Sequence, residues 1–256
     1  MHDRNLLQCG ANRSKCVDIA VNALIEFSCF NNTAVARNHE PVTIEKIHAT
    51  YRARRQEIRA RLEQFDALWQ SATDAQLWEE LVYCIFTAGA SARMGLTAVE
   101  AVRPLLAAGK SKQMTRALVK ARAHRYPAAR PAYVVITRSY LQRQFGMRLR
   151  QQLLSFADPL ERRDWLAQEP EIKGLGYKES SHFLRNIGFK GYGILDKHVL
   201  RCLSEIGVVE SFKPPTTRRR YLEMESAMRE FARTVRIDFD ELDLVLWSMK
   251  TGEILK

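Results

Sequence analysis

Residues 172–203 read IKGLGYKESSHFLRNIGFKGYGILDKHVLRCL, and this stretch decides the fold. Glycines at 174 and 176 allow the backbone to turn sharply and to come close to a ligand. The helix that starts near Tyr177 presents unpaired N–H groups and the positive end of its dipole. Gly174, Gly176 and Tyr177 therefore make a candidate phosphate seat that reads no base. Alone, such a turn is equally a plain connection between two helices. Lys178 adds chemistry to it. A lysine in the first turn stands against the helix dipole, and Lys173 and Arg185 add further positive charge. Those neighbours favour the neutral amine that imine chemistry requires. The plainer role for Lys178 is a phosphate contact.

His182 and Arg185 follow Lys178 at helical spacing on one face, while Phe183, Leu184 and Ile187 should pack inward. His182 is expected to be an ordinary surface histidine. After a turn through Gly191 and Gly193, Asp196 precedes another helix. It is placed to cap that helix. It also stays charged there, able to stabilise positive charge developing on a sugar ring or to steer the protons of the lysine.

The remainder of the chain can be read outward from this stretch. The protein has 256 residues, 40 Lys+Arg against 29 Asp+Glu, and a net charge of +11. Such a balance points to a polyanionic partner, nucleic acid first, against the alternative of a solvated basic surface. The hydrophobic fraction of 46% is that of a soluble globular protein. No apolar run approaches a membrane span, and the N-terminus lacks a secretory layout. A cytoplasmic, nucleoid-associated monomer is expected. The five cysteines, Cys9, Cys16, Cys29, Cys84 and Cys202, have no metal or redox spacing, so neither an iron–sulfur cluster nor a catalytic metal is expected. Cys84 and Cys202 are expected as buried thiols.

Helical periodicity dominates. Residues 1–40 read as an extension of uncertain order with one apolar run at Val17 to Phe30. Helices are predicted at Thr43 to Phe65, Thr73 to Phe86, Ala92 to Leu106, Lys112 to Ala123, Pro131 to Phe145 and Pro159 to Gln168. Others follow the hairpin and run over Lys197 to Ile206, Thr217 to Val235 and Phe239 to Met249. No strand alternation of useful length is present. The arginines between Arg52 and Arg61 are read as pairing mostly within their helix. Lys110, Lys112, Arg116, Lys120, Arg122 and Arg125 fall within sixteen residues that hold no acid. That run is either a track for phosphates or a solvated face.

The hairpin, the glycine loop and the aspartate together resemble the helix-hairpin-helix signature of base-excision DNA glycosylases. The wording GLGYKESSHFLRNIGF followed by ILDKHVLR is similar to the archaeal-type 8-oxoguanine DNA glycosylase/AP lyase family. Further pieces are ELVYCIFTAGASA at 80–92, RYPAARPAYV at 125–134 and LWSMKTGEILK at 246–256. TAGAS is a looser match, and the first forty residues match nothing associated with the family. The resemblance implies an all-α fold of two helical lobes with a DNA cleft, spanning 41–256. It implies a substrate of double-stranded DNA containing oxidised guanine and requires no cofactor. A monovalent cation at the hairpin carbonyls is plausible from related hairpins. Lys178 becomes the nucleophile and Asp196 its partner. The family also ends in a lysine that helps to distinguish oxidised from normal guanine, here Lys256.

That last role has a physical basis. Oxidation at C8 places a hydrogen on N7, so an acceptor becomes a donor, and an acceptor such as the terminal carboxylate can tell the two apart. Trp247 is a candidate stacking surface for an extruded base or else a core tryptophan. The expected activity is excision of 8-oxoguanine followed by strand cleavage. A glycosylase for another damaged base and a non-catalytic DNA-binding module are the alternatives; the second requires neither Lys178 nor Asp196. If the basic run binds phosphates, DNA affinity should fall steeply with salt, and Lys120→Ala should reduce the slope of log K against log salt by about one. An unchanged slope would place Lys120 away from DNA.

Overall fold

The computed structural model describes residues 41–255, so the Val17 to Phe30 run, Cys9, Cys16, Cys29 and Lys256 lie outside the described residues. Among the described residues there are helices and no strand. Helix α1 (Ile44–Ser71) starts at Thr43, whose side chain accepts from Lys46 N, and runs on past Phe65. Nothing in QFDALWQS breaks a helix, and the chain turns only at Ala72. Helix α2 (Asp74–Thr87) begins with a reciprocal box in which Thr73 and Gln76 satisfy each other's backbone N–H groups.

Helix α3 (Ala92–Val102) stops short of the predicted Leu106. Pro104 brings no N–H, and Arg103–Leu105 tightens into a 3-10 turn. Helix α4 (Ser111–Lys120) also closes early, as Arg122 takes a left-handed φ of +49°. Helix α5 spans Ala129–Phe145. Helix α6 (Leu149–Leu154) was not expected; its six residues are too few to show a period. Gly146 and Met147, both at positive φ, redirect the chain into it. Helix α7 (Pro159–Gln168) is capped by Asp158. Then come α8 (Tyr177–Asn186), α9 (Lys197–Glu205), α10 (Arg218–Val235) and α11 (Phe239–Thr251).

Two apolar cores organise these helices. One gathers Leu81, Phe86, Val99, Leu118, Leu141, Leu166 and Phe183. The other gathers Ile58, Leu200, Met228, Leu242 and Val245. Each such fully buried side chain contributes about 1.5–3 kcal/mol. Helix α1 serves both: Ile47, Ile58, Leu62 and Phe65 enter the second core, while Leu68 and Trp69 pack against the first. Helix α8 also serves both, with Phe183, Leu184 and Ile187 in the first and Tyr177 packed against the second. The glycine loop after α8 thus leaves a helix held from two sides. At its start Gly188 (φ +94°) lies so close to α1 that a Cβ would come within 2.8 Å of the Phe65 carbonyl oxygen.

The sequence reading of the arginines in α1 is corrected. Arg54 pairs with Glu57 within the helix, but Arg59 reaches Glu241 at 2.6 Å and Arg61 donates to the Ile254 carbonyl. These residues tie α1 to α11 and to the chain's end. Cys84 and Cys202 are buried and form no disulfide among the described residues, and burial pushes the Cys202 thiol up to about 12. No described helix is long and apolar enough to cross a membrane.

Candidate active site

The hairpin stands on α5. Lys173 N donates to the buried Thr137 hydroxyl at 2.9 Å. Gly174 adopts φ +83°, and a Cβ there would press on Tyr133 at 2.9 Å and on Arg130 at 3.0 Å. Arg130 in turn donates to the Ala88 carbonyl. Glycine is therefore required at 174, both for its backbone angle and for room. Gly176 differs from the expectation. It sits at φ −102° as the residue before α8 and has space for a side chain. Its N–H is taken by the Glu179 carboxylate at 3.3 Å, which sits over the first turn of α8. Tyr177 packs its ring against Tyr221 and hydrogen-bonds Gln168 through its hydroxyl. Lys120 is exposed near the end of α4, as are Lys110, Lys112, Arg116, Arg122 and Arg125.

Lys178, Asp196 and Trp247 converge on one small cavity, completed by His182, Arg185, Ile194, Val199, Asp243 and Leu244. It encloses about 30 Å³, room for a water molecule rather than a base. Asp196 is the cap of α9: its Oδ1 accepts from His198 N and Val199 N, each at 2.8 Å. Lys178 Nζ lies 3.6 Å from Glu179 Oε1. The sequence reading weighed only the cations around this lysine, whereas its measured ion-pair neighbour is an acid in the same turn.

One further expectation is corrected. His182 is not a surface residue; it is buried, edge-on to Tyr83 with ring centroids 5.6 Å apart. Arg185 lines the cavity together with Lys178 and His182. It is buried and donates to Asp243 at 3.0 Å, with its guanidinium over Phe65. The buried face of α8 is wider than its sequence suggests, because Tyr83 of α2 meets His182, and Phe65 of α1 and Asp243 of α11 meet Arg185.

The loop between α8 and α9 is held by buried acids that sequence reasoning did not single out. Gly191 N donates to Asp240, Gly193 N to Glu225 at 2.8 Å, and Ile194 N to Asp243 at 3.3 Å. Tyr221 accepts weakly from Leu195 N at 3.4 Å and donates to the Gly193 carbonyl at 2.6 Å. Glu225 also pairs with Arg163, only 1% exposed, through contacts of 2.6 and 3.0 Å. Arg163 in turn lies among the rings of Tyr177, Tyr192 and Tyr221. Burial raises the Asp240 and Asp243 carboxyls. The available signal was Asp240 and Asp243 at i, i+3 in FDELDLVLW, which places two acids on one face of a helix otherwise rich in leucine and valine.

Comparison with known proteins places this geometry in context. The helix-hairpin-helix family described as 8-oxoguanine DNA glycosylase matches residues 58–237. An 8-oxoguanine DNA glycosylase/AP lyase of Korarchaeum cryptofilum is 38% identical over 202 residues, covering 79% of this chain and 91% of that protein. The protein of the same name from Fusobacterium nucleatum is 32% identical over 216 residues, 83% and 96% of the two chains. The crystal structure of the Methanocaldococcus jannaschii 8-oxoguanine glycosylase/lyase, in complex with 15mer DNA containing 8-oxoguanine, matches with a TM-score of 0.75. It is 29% identical and is covered to 99%, against 83% of this chain. That of the Thermotoga maritima 8-oxoguanine DNA glycosylase gives 0.74 at the same identity.

The loop anchors make a stability prediction. Glu225→Leu strands Arg163 and the Gly193 N–H in the interior and should cost about 3–5 kcal/mol, read from the urea midpoint. Adding Arg163→Met should recover part of that loss. Equal destabilisation in the single and double variants would mean that the pair is not the anchor.

Proposed function

The chain belongs to the helix-hairpin-helix 8-oxoguanine DNA glycosylase family, and on that premise we propose that it excises 8-oxoguanine from double-stranded DNA and then cleaves the strand. The observation that carries this reading is the convergence of Lys178 and Asp196 on one cavity with Trp247 on its wall. In this scheme the damaged nucleotide is extruded from the stack at a cost of a few kcal/mol. The neutral Lys178 amine attacks C1′. The bond from C1′ to N9 breaks, and the base leaves with its electron pair and takes up a proton. Loss of the remaining proton from Nζ and opening of the sugar ring give the imine. Removal of a proton from C2′ then expels the 3′ phosphate by β-elimination.

Each residue has a part in this scheme. Asp196, fixed as a helix cap and lining the cavity, stabilises positive charge on the sugar and handles protons. Gly174, Gly176 and Tyr177 seat a backbone phosphate by main-chain N–H groups, and Lys120 lends sequence-independent attraction. Trp247 offers its ring to the extruded base. Lys256 follows Ile254, whose carbonyl is held by Arg61, and Glu253, which pairs with Arg93. We assign Lys256 to recognition of the oxidised base.

Borohydride should trap a covalent protein–DNA adduct with the unaltered protein and none with Lys178→Gln. An equal adduct in the variant would move the nucleophile elsewhere. Deleting Lys256 should narrow the preference for 8-oxoguanine over guanine in single-turnover excision, while cleavage at a preformed abasic site persists, because no base remains to be read. Unchanged discrimination would remove Lys256 from the site.

A further inference from the structure

The reaction as written makes no use of Asp243, yet this residue lines the same cavity as Lys178 and Asp196 and is only 4% exposed. Its two oxygens have different partners. Oδ1 accepts from Ile194 N at 3.3 Å, and Oδ2 accepts from Arg185 at 3.0 Å. Ile194 is held at its carbonyl as well, since Asp196 N donates to it at 2.8 Å. A path thus runs from the Asp243 carboxylate through the N–H and then the carbonyl of Ile194, two successive peptide units, to the backbone of Asp196. Two residues of an extended loop have few ways to hold their angles unaided, and here α11 supplies the hold.

Charge gives Asp243 a second task. Arg185 is a permanent cation and lines the same wall. Left unpaired, it would offset Asp196 at the place where the sugar becomes positive. The groups that face Asp243 are Lys178, His182 and Arg185 from α8, Asp196 from the loop, and Asp240 from its own helix. We propose that Asp243 is the positioning residue for Asp196 and the counter-charge that keeps Arg185 from cancelling it. The proposal rests on the reading of Lys178 and Asp196 as the reacting pair.

Both tasks differ in what they require. Holding Ile194 needs only an acceptor oxygen, which asparagine also supplies. Neutralising Arg185 needs the ionised form. Burial pushes the Asp243 carboxyl up, against the pull of Arg185 and with the added push of Asp196, to about 7. The sign follows directly: the group is charged above that value and neutral below it, so the counter-charge is present on the alkaline side and lost as pH falls.

The test is single-turnover borohydride trapping on DNA carrying a preformed abasic site, followed against pH, for the unaltered protein, Asp243→Asn and Asp243→Glu. Lys178→Gln is the control for the underlying reading. Asp243→Asn, which keeps the hold on Ile194 but loses the counter-charge, should bind DNA as before but trap about 10- to 100-fold more slowly on the alkaline side, the scale on which one nearby charge favours or disfavours another. Its profile should also lack the acid limb near 7 that the unaltered protein shows. Asp243→Glu should retain a limb at a reduced rate. A wild-type rate in Asp243→Asn, or the same limb in that variant, overturns the proposal. If Asp243→Asn no longer binds DNA, Asp243→Glu decides: intact affinity with a slowed reaction supports the assignment, and an unaltered rate overturns it. A trapped adduct that survives Lys178→Gln overturns the underlying reading instead, and this proposal with it.

Discussion

The structure around the cavity depends on one constraint: a glycine-rich loop without secondary structure must keep its backbone N–H groups paired in the protein interior. A buried unpaired N–H costs about 1–3 kcal/mol. Gly191, Gly193 and Ile194 escape that cost by donating to Asp240, Glu225 and Asp243. Those carboxylates are themselves buried and need compensation, which Arg163 and Arg185 provide to Glu225 and Asp243. The loop is thus the innermost layer of a nested arrangement, with peptide inside acid inside arginine. Arg163 comes from α7 and Arg185 from α8, so the helices on either side of the hairpin are drawn into the same assembly. Removing a single partner exposes a charge to a medium that cannot solvate it, and for this reason single substitutions here are expected to act on folding as well as on chemistry.

Helix starts and several caps were legible in the sequence, and so was the placing of Lys178 and Asp196 on two short loops that meet at one cavity. Thr43, Thr73 and Thr217 mark helix starts by a local mechanism that needs no tertiary knowledge. Pro159 and Asp196 do the same. Lys178 and Asp196 were legible because short, stiff loops fix them. Misreadings occurred where packing from a distant helix decides. His182 looks like a surface residue on a short polar helix. It and Arg185 are buried by partners far away in sequence, and Asp243 alone is 58 residues from Arg185. Helix α6 was missed for a different reason, being too short to carry a period.

The same distinction separates the two glycines of the hairpin. Gly174 is demanded by its backbone angle and by the proximity of Tyr133 and Arg130, whereas Gly176 has neither demand. From sequence the two look equivalent. In the fold one sets the turn, and the other gives its N–H to Glu179 at the start of α8.

Glu179 gives that helix start an unusual property. The carboxylate that accepts from Gly176 N is an anion tethered a single turn away from the seat where a phosphate would rest. On the proposed reading, the Glu179 carboxylate is then a tethered competitor for that phosphate, present at the high effective concentration that a short tether confers. A small anion would meet an N–H already paired, whereas a duplex backbone, with many simultaneous contacts, would have the advantage needed to displace it. Displacement would free the carboxylate while it is still within reach of the Lys178 ammonium. On that reading, seating of the duplex and the electrostatic surroundings of Lys178 are joined through a single side chain.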